Sequence, residues 1–185
     1  MILVNDLRPG QTFYYEKNIY VVIEATHNKT AMRQMIVKAK VKNLRSGVIN
    51  ELSFTGGEKL EPAMIEKKEM QYLYDDSDSY IFMDNNTYEQ IEINKDKLQW
   101  EKNFIKENSI VNISVYQSEI LGIILPDKVV LQVVECEPAV KGDTATNASK
   151  NATLETGLVI KVPLFIQQDE LVIVSTVDGK YSSRA

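Results

Sequence analysis

The sequence predicts an all-β chain built as three small barrels. Short alternating or β-branched runs recur from end to end, and Gly, Pro, Asn and Asp mark the breaks between them. The uneven distribution of charge divides the chain. Its 185 residues carry a net charge of -5. Residues 1–62 hold nine Lys/Arg against six Asp/Glu, residues 63–126 six against twelve, and residues 127–185 six against eight. Domains over 1–62, 63–126 and 127–185 are therefore expected.

In the first segment the spacing predicts strands over 12–15, 19–25, 35–43 and 48–54, with turns at Pro9-Gly10, Arg45-Ser46-Gly47 and Gly56-Gly57. Four closely spaced strands suggest an SH3-like barrel. The second segment predicts strands over 70–74, 80–83, 88–93, 110–116 and 120–125, a count that fits an OB fold. A short helix is expected over 94–105, where Asn94 can cap and Trp100 and Phe104 stand at i, i+4 on one face. Pro126-Asp127 breaks the pattern. Strands over 129–136, 152–154, 158–162, 164–166 and 171–177 then make a third barrel. Residues 140–151, rich in Lys, Gly, Asp, Thr, Ala, Asn and Ser, lack periodicity and read as a long functional loop.

Composition excludes several function classes. No apolar run approaches the ~18 residues of a membrane span. Asn5, Asp6 and Arg8 follow directly on Met-Ile-Leu-Val where a signal peptide would have its apolar stretch, so a cytoplasmic protein without a membrane partner is expected. One cysteine forms no internal disulfide, and one cysteine with one histidine builds no Cys/His zinc site; neither a metal nor a cofactor is expected. Cys136 lies between Glu135 and Glu137, with no basic neighbour to favour a thiolate, so it reads as a strand cysteine and not a nucleophile. Asp75-Asp76 falls in a turn and reads as solvated. No catalytic residue is assigned, and no enzyme is expected.

One window carries a distinct chemistry. No acidic residue occurs between Ala25 and Asn50, while Lys29, Arg33, Lys38, Lys40, Lys42 and Arg45 are all basic. Period two puts Ile36, Lys38, Lys40 and Lys42 on one face and Met35, Val37, Ala39, Val41 and Asn43 on the other. Stacked lysines repel one another, so a phosphate-bearing partner is the natural counterweight. Residues 27–34 connect two strands and bring Lys29 and Arg33 to a hairpin tip. His27, without a second histidine or a nucleophile in any motif, reads as a polar contact.

Residues 150–166, reading Lys-Asn-Ala-Thr-Leu-Glu-Thr-Gly-Leu-Val-Ile-Lys-Val-Pro-Leu-Phe-Ile, resemble the signature of the elongation factor P family. Its last usual element, a glycine, is Asp169 here. Gly142-Asp143-Thr144, Leu7-Arg8-Pro9-Gly10, the run from Val41 to Gly47 and the closing Asp178-Gly179-Lys180-Tyr181-Ser182-Ser183-Arg184 are similar to further hallmarks, so that the resemblance spans essentially the whole chain.

The resemblance implies an SH3-like (KOW-type) domain followed by two OB domains in an L shape with the dimensions of a tRNA. It implies a monomeric translation elongation factor that binds both ribosomal subunits between the peptidyl-tRNA and exit sites. Such a factor promotes peptide-bond formation at polyproline stalls by positioning the acceptor end of the peptidyl-tRNA, especially prolyl-tRNA. In this reading Lys29, Thr30, Ala31, Met32, Arg33 and Gln34 form the loop against peptidyl-tRNA, and Lys38, Lys40 and Lys42 face rRNA or tRNA. Gly142, Asp143 and Thr144 face the small subunit near the exit-site codon. Many relatives carry a modified lysine, or an arginine bearing a sugar, where Met32 stands here, and methionine accepts neither chemistry. The loop is also shorter than in many relatives, so a second register puts Arg33 at the apex as a candidate for modification. An OB-type RNA-binding protein acting off the ribosome is the alternative function.

Overall fold

The computed structural model describes residues 1–29, 34–139 and 148–185. They fold as sixteen strands: β1 (Ile2–Leu3), β2 (Thr12–Tyr15), β3 (Asn18–Asn28), β4 (Ile36–Asn43), β5 (Ile49–Thr55), β6 (Lys59–Pro62), β7 (Glu66–Asp75), β8 (Ser79–Met83), β9 (Gln90–Asn94), β10 (Ile110–Tyr116), β11 (Glu119–Ile124), β12 (Lys128–Cys136), β13 (Ser149–Leu154), β14 (Val159–Pro163), β15 (Leu171–Ser175) and β16 (Tyr181–Arg184). The strands form three sheets, ordered β1-β6-β2-β3-β4-β5, β11-β10-β7-β8-β9 and β14-β13-β12-β15-β16. The all-β class expected from the sequence is what the chain adopts, and its only described helices are short 3-10 turns. By compactness the chain divides into one unit of Met1–Lys67 with Ser114–Gly122 and another of Lys68–Ile113 with Ile123–Ala185.

In the first unit, alternation along β4 sends Val37, Ala39 and Val41 inward to zero exposure, where Phe13, Val22 and Phe54 meet them. Burying a large aliphatic or aromatic side chain is worth roughly 1.5–3 kcal/mol, so this inward row supplies much of the force that closes the barrel. Phe54 is gripped edge-on by Phe13 at 6.1 Å and Tyr15 at 5.3 Å between ring centroids. A satellite core of Ile19, Ala63, Tyr116 and Leu121 lies in the same unit, with Tyr14, Leu44 and Ile65 packed on it.

In the second unit, Leu131, Val133, Leu154, Ile160, Val172 and Val174 form a core around strands β12 to β15. Gly157, in the turn between β13 and β14, has φ 88 and donates its N–H to the Leu154 carbonyl at 2.8 Å. This left-handed conformation favours the glycine of the signature. Asp169, which stands where that signature usually has glycine, also has positive φ, 68. Its N–H donates to the Val133 carbonyl at 2.7 Å, and aspartate is among the few residues that tolerate the left-handed region.

Several expected elements differ. The helix over 94–105 is two 3-10 turns, Lys95–Leu98 and Glu101–Asn103. The Asn94 side chain does cap, but it accepts from the Asp96 N–H at 2.9 Å and closes a tight turn. The second turn is then held by tertiary contacts: Trp100 Nε1 donates to the Thr176 carbonyl at 2.9 Å, and Phe104 joins the core around Leu131. Trp100 and Phe104 do meet, 5.2 Å apart between ring centroids.

The strand expected over 164–166 is a turn. The Ile166 N–H donates to the Pro163 carbonyl at 3.2 Å, and Ile166 plugs the core while Phe165 faces out. Strand β13 starts at Ser149, inside the stretch read as loop. Strands β1, β6 and β16 go beyond the expected set; Leu60 alone is buried within β6 and no residue of β16 is, which leaves little alternation to read.

Candidate nucleic-acid interface

The β3–β4 hairpin presents the basic face. Its arms pair from Tyr20 opposite Asn43 to Asn28 opposite Ile36. The outward row of β4 leaves Ile36, Lys38, Lys40 and Lys42 exposed while Val37, Ala39, Val41 and Asn43 are buried, the division that period two predicts. Beyond Ala25 the β3 arm turns fully exposed at Thr26, His27 and Asn28. Lys29 and Gln34, at the ends of the described arms, are exposed as well. Thr30, Ala31, Met32 and Arg33 lie outside the described residues.

Strand pairing adds two carboxylates that the linear sequence hides. Lys40 stands opposite Glu24 on β3 and Glu51 on β5, and the register that brings Glu24 there follows an irregularity between Val22 and Glu24. Glu51 reaches diagonally to Lys38, Oε1 to Nζ 3.5 Å, with 48% and 61% of the lysine and glutamate side chains exposed. At that exposure a pair contributes at most about 1 kcal/mol, so Glu51 can release Lys38 to a stronger anion cheaply. The lysine repulsion inferred from sequence is thus partly relieved within the sheet, and Lys42, between Val21 and Ile49, has no carboxylate directly opposite.

The second candidate loop leaves β12 and returns at β13. Glu137 and Asn151 join its base: the Asn151 N–H donates to Glu137 Oε2 at 3.0 Å and Asn151 Nδ2 to Oε1 at 3.2 Å. These donors hold the Glu137 carboxyl below its usual range. Gly142, Asp143 and Thr144 lie outside the described residues.

Other chemistry-bearing groups have local roles. Cys136 is half-buried with its thiol 3.9 Å from the Ile166 carbonyl. The Asp76 carboxylate accepts from the Asp78 and Ser79 N–H groups at 2.8 and 2.7 Å, bonds that lower its pKa. Asp75 is likewise lowered, chiefly by its 2.7 Å bond from Lys95. An open cleft of about 910 Å³ in the second unit runs past Tyr72, Asp75, Lys106 and Glu155. Burial pushes the Tyr72 hydroxyl up, and Lys106 is paired with Glu155 at 3.4 Å. Among the described residues no cluster of three or more His, Cys, Asp or Glu could hold a metal, and no helix is long and apolar enough to cross a membrane.

A barrel with an outward basic hairpin, followed in the chain by two further five-stranded sheets, defines a class: a KOW-like module joined to OB-type modules. Residues 3–60 match the elongation factor P KOW-like domain, residues 65–123 the elongation factor P OB domain, and residues 129–184 the elongation factor P C-terminal domain. The chain is 55% identical over 182 residues to elongation factor P of Mesoplasma florum, covering 98% of both chains. It is 54% identical over 182 residues to elongation factor P of Mycoplasma mycoides subsp. mycoides, covering 98% of this chain and 99% of that one.

Among solved structures it resembles eukaryotic translation initiation factor 5A from Methanococcus jannaschii, with a TM-score of 0.53 and 17% identity, over 66% of this chain and 92% of that one. An initiation factor 5A family protein from Naegleria fowleri gives 0.50 and 11%, over 67% and 94%. Those two likenesses carry the fold. The chain belongs to the elongation factor P family.

Proposed function

We propose that this chain is a translation elongation factor that binds the ribosome between the peptidyl-tRNA and exit sites and promotes peptide-bond formation at polyproline stalls. The observation that carries the reading is the near full-length identity to elongation factor P relatives. The exposed row of Lys38, Lys40 and Lys42 on a hairpin of the KOW-like module supports it. Proline is a poor substrate because its amine is secondary and its φ is fixed. A factor that orients the acceptor end of prolyl-tRNA lowers the barrier through positioning alone, and the ribosome remains the catalyst.

In this reading the chain is cytoplasmic, monomeric and without cofactor, and its functional divisions are 1–62, 63–126 and 127–185. Lys29 to Gln34 meet the peptidyl-tRNA end. Met32 offers a flexible apolar contact there and Arg33 a planar charged one; Arg33 is also the residue on which a modification would fall. Gly142, Asp143 and Thr144 meet the small subunit, with glycine allowing close backbone approach and the other two short hydrogen-bonding groups.

Cosedimentation tests the placement. The chain is expected to pellet with whole ribosomes at near-physiological salt and to ignore free single-stranded RNA. Tight binding to free single strands with none to ribosomes would instead favour an RNA-binding protein acting off the ribosome.

A further inference from the structure

Three turns meet at one end of the first unit. The turn between β2 and β3 has Glu16 and Lys17 at φ 45 and 63, and the turn between β10 and β11 has Gln117 and Ser118 at φ 45 and 69. Both use two successive left-handed residues, the twist that tight hairpins need, without the glycine or asparagine that usually relieves it. The third is the turn after β4. There Asn43, 8% exposed, accepts from the Arg45 and Ser46 N–H groups at 2.9 and 3.2 Å, while Leu44 donates to the Ile19 carbonyl at 2.8 Å. This fixes the direction in which Arg45 leaves the backbone.

The Arg45 guanidinium connects all three turns. Nε donates to Glu119 Oε1 at 3.0 Å, Nη2 to Glu119 Oε2 at 2.8 Å, and Nη1 to the Lys17 carbonyl. A two-pronged contact of this kind fixes angle as well as distance, which a lysine ammonium cannot do. Beneath it, Tyr116 and Leu121 from the β10–β11 hairpin pack on Ile19 and Ala63. The guanidinium side chain is 35% exposed and its carboxylate partner 43%. At that exposure an ion pair adds little stability, so the effect of the arrangement is on geometry.

We propose that Arg45 is a positioning residue that locks the first barrel to residues 114–122, the tip of the β10–β11 hairpin that belongs to the same unit. The basic β3–β4 hairpin is then carried on a fixed mount and reaches its RNA partner already oriented. The functional half of this inference rests on the proposed role at proline stalls; the structural half does not.

The test uses the full chain as wild type, Arg45→Ala and Arg45→Lys, with two readouts. In solution NMR, amide residual dipolar couplings from β3–β4 and from residues 114–122 should fit one alignment tensor in the wild type and require two in Arg45→Ala. Arg45→Lys keeps the charge without the fork and should fall between. In reconstituted translation of a proline run, the rate at saturating factor should fall by roughly ten- to a hundredfold in Arg45→Ala, since a positioning group misplaced by about 1 Å can cost about a hundredfold. The half-saturating concentration should change less than about twofold, because no RNA contact of the lysine row is removed.

A single tensor in both variants overturns the lock. Two tensors with an unchanged rate overturn the positioning role. A wild-type chain that fails to accelerate synthesis overturns the proposed function alone, and the couplings still decide the lock.

Discussion

Replacing Lys38, Lys40 and Lys42 together with Gln should lower ribosome affinity by on the order of a hundredfold near 0.1 M salt. The slope of log affinity against log salt should also become shallower by roughly two to three units, since each phosphate contact contributes about 0.7–0.9 of a unit. All three side chains are exposed, while the inward row of Val37, Ala39 and Val41 is untouched, so thermal stability should hardly change. The three lysines should not contribute equally. Lys42 has no carboxylate directly opposite, whereas Lys40 faces Glu24 and Glu51, so Lys42→Gln should cost more than Lys40→Gln. Equilibrium binding at several salt concentrations checks this. Parallel salt dependences for the triple variant and the wild type would show that the row is only a solvated face.

Phe104→Ala is expected to have the largest effect on stability. The ring is 4% exposed, sits in the core with Leu131, Val133 and Ile166, and meets Trp100 edge-on at 5.2 Å. Truncating a buried phenylalanine costs about 3–5 kcal/mol. The loss should reach Trp100, whose indole donates to the Thr176 carbonyl and whose ring would lie 3.0 Å from a Cβ added at Gly179. Because Trp100 is the single tryptophan, its fluorescence reports on this corner directly. A denaturant titration followed at that signal should show an early transition in the variant. A midpoint shifted by less than the equivalent of about 1 kcal/mol would mean that Phe104 is not part of the core.

Much of this architecture was legible in the chain because β4 obeys the simplest rule of strands. Its two faces separate at every residue from Ile36 to Asn43, and the lysine row followed from spacing alone. The neighbours of that row did not. Glu24 comes opposite Lys40 only after the irregularity between Val22 and Glu24, and Glu51 arrives from another strand. Both are products of register, which a linear reading does not contain.

The same limit explains Arg45. It looked like one more member of a basic window, while its partner Glu119 lies 74 residues away. The expected helix over 94–105 failed because its apolar spacing was real but its partners were elsewhere. Trp100 and Phe104 are drawn toward Thr176 and Leu131, and short 3-10 turns meet that demand. At 164–166, three apolar residues in a row carry no alternation that would distinguish a strand, and the chain turns there with Ile166 buried and Phe165 exposed.

Asp169 shows the reverse case. It is a small departure from the family signature, and its φ of 68 is a left-handed conformation that glycine adopts freely and aspartate tolerates. The family was legible for a different reason, since its motifs are long and span the chain, as the three matched domains and the 55% identity show.

The most direct test of the proposed role is the rate of peptide-bond formation across a run of prolines on ribosomes of the native host. The unmodified recombinant chain would be added to a purified translation system, and a proline-free message of equal length would serve as the control. With Met32, which accepts no sugar or lysine-type group, at the tip of the loop, marked acceleration by the bare chain is expected on the proline run and none on the control. Equal rates on the proline message with and without the chain, under conditions where it binds the ribosome, would contradict it.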